Sequence, residues 1–162
     1  MQIDMEKIVI GCTRAGLTLK AELIKHLESK GFEVKDVGMK QDGKFVPYHQ
    51  AAAAVAEEVS LGRCSKGIII CGTGAGSVIV AAKYKGVYPV HVTNEFTARK
   101  AKAVNDCNVL VFGEWLTPAP HAIQCVDTWL ETEFGAGSDE DWKKFLRGCV
   151  NDIAKMESER FK

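Results

Sequence analysis

The sequence predicts an α/β protein: a parallel sheet of five strands with helices on both faces, followed by one extra C-terminal helix. Three observations carry that prediction. Short β-branched runs alternate with longer segments of helical period along most of the 162 residues, and a repeated βα order is what builds a parallel sheet. The central run "KGIIIC" is apolar at successive positions, so both its faces expect cover. It leads into "GTGAG", a glycine-rich loop that allows a strand to turn tightly into a helix.

The first strand is read in "KIVIG" and the first helix in "AGLTLKAELIKHLESKG". There Leu19, Leu23 and Leu27 recur every fourth residue, Lys20, Glu22 and Lys25 fall off that stripe, and Gly31 is a natural stop. "EVKDVG" supplies the second strand. The polar, glycine-bearing "GMKQDGKFVP" reads as a loop, with Pro47 suited to the first turn of a helix over "PYHQAAAAVAEEVSLG". After the third strand and its loop come "VYPVHV", a helix over "NEFTARKAKAVN", the strand "NVLVFG" and a helix over "TPAPHAIQCVDTWLETEF". Residues 1–135 thus form one sheet domain, and residues 136–162 form a helical extension of it. In that extension "GAGSDED" offers a hinge, a Ser138 cap and three acids. The helix carries Trp142, Phe145, Leu146, Val150 and Ile153, which either pack back on their own domain or cross to a partner chain.

Lysine plus arginine equals aspartate plus glutamate, 21 of each, so no nucleic-acid or membrane-surface partner is expected and any bound anion is held locally. No apolar run approaches the roughly 20 residues of a membrane span, and "MQIDMEKIVIG" lacks the basic-then-apolar order of a secretion signal; a cytoplasmic protein is expected. The six cysteines form no Cys-x-x-Cys pair and read as free thiols. The four histidines are too scattered for a zinc constellation, so no metal is expected.

Open parallel sheets bind ligands beyond the carboxyl ends of their strands. Function is therefore sought in "GCTRAG", "CGTGAGS", "HVTNEF" and "GEWLTP". In "CGTGAGS", glycines 72, 74 and 76 leave successive backbone N–H groups bare, and with the following helix start they form a concavity for an anion or a developing oxyanion. Cys71 stands at its lip, in a field that favours a thiolate able to act as base or nucleophile. Equally, Cys71 can be a small buried hydrophobe and the glycines a means of close packing. No G-x-x-x-x-G-K-[ST] occurs, and "GTGAG" is one residue short of the dinucleotide fingerprint.

Taken in order, "GCTRAG", "ICGTGAG" with "AAKYKGV", "TARKAKAVNDCNVLVFG" and "VDTWLETEF" resemble the family of ribose-5-phosphate isomerase B and the galactose-6-phosphate isomerase subunits, over roughly residues 7–135. The resemblance implies a Rossmann-like three-layer fold and a homodimer, or a dimer of dimers, with the active site between subunits. It also implies aldose–ketose isomerisation of a small phosphosugar without a cofactor. Cys71 matches the family's catalytic base. The N–H groups of Gly72, Gly74, Ala75 and Gly76 would hold the enediolate oxygen, and the Thr73 hydroxyl would orient the base or move a proton. Thr13 and Asn105 fall at substrate-contacting positions. Arg14 and then Arg99 are the candidate phosphate ligands, and His91 is a candidate acid.

The chain departs from the family pattern at three places. Thr13-Arg14 stands where Asp-His is usual, Val104 where a ring-opening histidine precedes Asn-Asp, and Trp115 where an arginine commonly binds phosphate. A tetrose 4-phosphate has its ring-closing oxygen esterified, so it needs no ring-opening histidine. The expected substrate is therefore a short or already open phosphosugar such as erythrulose 4-phosphate, with Trp115 shrinking the pocket. Two other classes compete: a non-catalytic or partner-dependent subunit, and a nucleotide-binding module. The latter is opposed by the lack of an acid for a ribose hydroxyl after the next strand.

Overall fold

A computed structural model describes residues 6–161. Five strands, β1 (Lys7–Cys12), β2 (Glu33–Asp36), β3 (Lys66–Cys71), β4 (Pro89–His91) and β5 (Val109–Gly113), alternate with α1 (Leu17–Ser29), α2 (Tyr48–Ser60), α3 (Ala75–Ala81), α4 (Glu95–Asn105) and α5 (Ala119–Glu131), and α6 (Glu140–Arg160) closes the chain. The sheet order is β2-β1-β3-β5-β4 and every pairing is parallel. Strand order reverses between β1 and β3, so the loops after Cys12 and Cys71 diverge at the crevice where such sheets take ligands.

The period-2 geometry of a strand divides the core between two faces. Ile8, Ile10, Ile68, Ile70, Leu110 and Phe112 point to the side covered by α1, α4 and α5. Val9, Ile69, Val109 and Val111 point to the side covered by α2 and α3. Both sides are dry, which is why these strands carry uninterrupted apolar runs. Helix α1 shows what holds the helices. Gly16 gives it no side-chain cap, a deficit of roughly a few tenths of a kcal/mol. Leu19, Leu23 and Leu27 are buried in the core, and at about 2 kcal/mol each their burial outweighs that deficit.

The Rossmann-like three-layer expectation is met, including the fifth strand and the extra helix. One expected detail is corrected. The cap of α6 is Asp139, whose carboxylate accepts the Trp142 N–H at 2.8 Å, whereas the Ser138 N–H is spent on Gly135 O within the preceding turn. Helix α6 buries only Leu146 fully and is moored at its far end. There the Glu157 carboxylate accepts the Gly86 N–H and the Tyr88 hydroxyl.

Candidate active site

Strand β3 delivers Cys71 to the carboxyl edge of the sheet, and the chain then reverses through Gly74, which sits at φ 84° in the left-handed region. That turn points the Gly74 N–H back at the thiol, 3.1 Å from Sγ. A side chain at Gly74 is excluded twice, by its φ and by the His91 ring, whose Cδ2 would lie 2.5 Å from an added Cβ.

Cys71, only 6 % exposed, lines a cavity of about 330 Å³. Its neighbours there are Thr13, Ala15, Phe45, Pro47, Tyr48, Gly72, Thr73, Gly76 and Trp115. The wall is built by long-range ties. The Thr13 hydroxyl donates to Val46 O at 2.7 Å, fixing the β2–α2 loop to the first loop. Beneath that loop the buried Lys20 ammonium donates to Asp36 Oδ2 at 2.8 Å and to Met39 O at 2.5 Å. Burial alone would push the Asp36 carboxyl up, but hydrogen bonds from Lys20, Lys40 and the Gly38 N–H outweigh it and hold it below its ordinary value. On the opposite side the Glu114 N–H donates to Cys71 O at 2.9 Å, and the Glu114 carboxylate accepts the Leu19 N–H at 3.2 Å, in the first turn of α1.

The structure brings together Cys71, Gly72, Thr73, Gly76 and Thr13 of the expected set. It redirects Gly74, whose amide, expected to hold an oxyanion, donates to the sulfur instead. Ala75 is exposed and outside the cavity wall. Arg14 is exposed between the cavity-lining Thr13 and Ala15, with no ion-pair partner among the described residues. His91, Arg99 and Asn105 do not reach the cavity within one chain. His91 packs behind the loop, its Nε2 buried without a partner and burial depressing its pKa, so it is held as a neutral ring. Arg99 lies exposed on α4. Asn105 lines a larger cavity of about 410 Å³ near the start of β4, under Ile153 and Met156 of α6. The smaller cavity is the candidate active site, because the thiol, the turned amide and the hydroxyls converge there. Sequence reading missed Phe45 and Tyr48, whose only signal was two aromatics flanking a proline after a polar loop, and Glu114, whose partner is 95 residues away.

Among the described residues no three His, Cys, Asp or Glu side chains gather in a way that would hold a metal ion, and no helix is long and apolar enough to cross a membrane. Fold and loop together define a parallel α/β protein that presents a thiol and a backbone-amide turn at the switch point of its sheet. The Ribose/Galactose Isomerase family model matches residues 8–144, and the chain belongs to that family. It is 33 % identical to the 4-deoxy-4-sulfo-D-erythrose isomerase of Clostridium sp. (strain MSTE9), over 93 % of this chain and 95 % of that one. It is 35 % identical to D-erythrulose-4-phosphate isomerase 2 of Mycolicibacterium smegmatis, over 93 % and 97 %. The crystal structure of ribose-5-phosphate isomerase B from Mycoplasma genitalium, with bound ribulose-5-phosphate, superposes with a TM-score of 0.85 at 32 % identity, over 94 % of this chain and 97 % of that one. The resemblance read from the sequence motifs is thus borne out, and the chain is an isomerase of this family.

Proposed function

We propose that the chain interconverts the aldose and ketose forms of a four-carbon sugar with a terminal phosphate, using Cys71 as the base. The observation that carries this is the Cys71 sulfur, which accepts the Gly74 N–H and lines a cavity beside Thr73. The thiolate takes the proton from the carbon next to the carbonyl and returns it to the neighbouring carbon. The enediolate oxygen between those steps meets the backbone at Gly72 and Gly76, and the Thr73 hydroxyl moves the proton between the two oxygens. Arg14 is the phosphate ligand, free at the mouth and flanked by wall residues. Neutral His91, outside the wall, has no part in ring opening, which suits a substrate that has no ring. Two copies in the cytoplasm, each lending Arg99, Asn105 and the exposed face of α6 to the other's site, give those residues the role their own chain denies them.

A second reading is favoured by one feature of the cavity. Among the described residues of one chain no charged side chain lines it and Arg14 stands at the rim, so this reading takes Arg14 as the anion's one cation, with Arg99 of a second copy left outside the site. One guanidinium balances a sulfonate, which carries a single charge, more fully than a phosphate monoester, which carries about −1.5 to −2 at pH 7. The same chemistry on a 4-deoxy-4-sulfo tetrose fits that balance. Turnover by the pure protein across four-, five- and six-carbon aldose phosphates and the sulfo tetrose is the test. Four-carbon substrates should exceed ribose 5-phosphate in kcat/KM by at least about tenfold. Faster turnover of ribose 5-phosphate defeats the proposal, and the ratio of sulfo to phospho tetrose decides between its two forms.

A further inference from the structure

We infer that the Trp115 indole sets the length of sugar that the Cys71 site admits, an inference that rests on the isomerase reading above. The ring closes the cavity directly over the turn that carries the base. A Cβ added at Gly72 would stand 2.8 Å from Trp115 Cη2 and Cζ3, so the ring and the Gly72 backbone are already in contact. Its backbone is fixed to that same turn, with the Trp115 N–H donating to Gly72 O at 3.1 Å and the preceding N–H, of Glu114, donating to Cys71 O. The Glu114 carboxylate secures this loop to α1. The backbone that carries the ring is thereby fixed to the sheet and not to a flexible loop.

The outer side of the ring is a different matter. Trp115 is 73 % exposed, so no packed layer stands behind it, and removing the ring opens the cavity to solvent without emptying a core. Phe45 and Tyr48 also line the cavity, whose volume of about 330 Å³ is near the low end of small-molecule sites. A sugar whose reacting carbons lie at Sγ must run its remaining carbons and anion past this aromatic rim. Each added carbon there meets the indole, and one surplus carbon in a close-fitting pocket is discriminated by about 10–200-fold.

Two ketoses separate length from ring opening. Ribulose 5-phosphate has the oxygen that would close a furanose esterified, and erythrulose 4-phosphate has no fifth carbon to carry such an oxygen, so both are open chains. Steady-state kinetics of the wild type, Trp115→Ala and Trp115→Phe on this pair test the inference, with thermal melts confirming the fold. Trp115→Ala should raise the five- to four-carbon ratio of kcat/KM by at least about tenfold, mainly through a lower KM for ribulose 5-phosphate, while Trp115→Phe, which keeps an aromatic wall, should move it by less than about threefold. A ratio in Trp115→Ala within about twofold of an active wild type overturns the inference alone. A wild type that already prefers the five-carbon ketose overturns this inference together with the four-carbon reading, and leaves only the isomerase activity standing. A wild type idle on both ketoses fails the isomerase reading and takes this inference with it.

Discussion

Cys12 and Cys71 end neighbouring parallel strands, β1 and β3, and both are followed by loops that turn at a glycine. Yet they sit in opposite surroundings. Cys12 is fully buried, its thiol directed at Met39 O at 3.8 Å, and burial pushes its pKa up to about 11 against the opposing pull of Lys20. The chain after β2 lies across it, with the Met39 N–H donating to Cys12 O at 2.8 Å. Cys71 instead accepts an N–H from the next turn and faces a cavity. The residue type at a strand end therefore says little by itself. What the following residues do with their amides, and whether another loop roofs the site, separates an inert thiol from one placed for chemistry.

The largest expected effect comes from exchanging the two thiols for alanine. Cys71→Ala should lose at least about 10³ in kcat/KM, the upper range for a general base, with its melting temperature nearly unchanged. Cys12→Ala should keep activity within about threefold while losing about 1 kcal/mol of stability, read by chemical denaturation. Should Cys12→Ala prove as inactive as Cys71→Ala, the contrast between the strand ends would be wrong. Next in size is the turn itself. Gly74→Ala places a methyl 2.5 Å from the His91 ring at φ 84°. Strain of about 1–2 kcal/mol in the turn should cost about 10–100-fold in kcat by moving the amide off the sulfur. Adding His91→Ala relieves the clash but not the backbone strain, so the double variant should recover only part of the loss in kcat and Tm. Full recovery would assign the glycine to packing alone.

How much of this was legible in the sequence follows from where the information lies. Strand and helix identities were readable because burial on both sheet faces forces local apolar runs, and Leu19, Leu23 and Leu27 mark α1 without reference to anything distant. The insertion of β5 between β3 and β4 was not readable, since βα alternation is the same for any strand order. Cys71, Gly72, Thr73 and Gly76 were legible as a site because they are contiguous. The rest of the wall was not. Phe45 and Tyr48 join the cavity beside the Thr13 tie to Val46, a contact between residues 33 apart, and no local pattern encodes it. His91 was assigned to the site from its place at the end of the fourth strand, Arg99 from the need for a cation and Asn105 from motif position, and none of these fixes distance to Cys71 within one chain.

The smallest expected effect tests the buried half of the comparison through pH. Burial raises Cys12 from 9.0 to about 11, and raises Cys125 to about 11 and Cys107 to about 12 in the same way. Below pH 9 both the folded and the unfolded chain keep these protons, so the thiols contribute no pH dependence there. From there up to the folded values, the unfolded chain releases protons that the folded chain retains, and stability falls as pH rises. For Cys12 the slope is at most about 1 kcal/mol per pH unit, under the roughly 1.4 of one whole proton because the folded and unfolded titrations overlap. Cys12→Ala has no such thiol to deprotonate on unfolding. It should therefore start less stable than the wild type at pH 8 and lose stability more slowly, so that urea midpoints of the two converge towards pH 11. Parallel lines between pH 8 and 11 would show that Cys12 is open to water after all, and that the two strand ends differ less than their surroundings indicate.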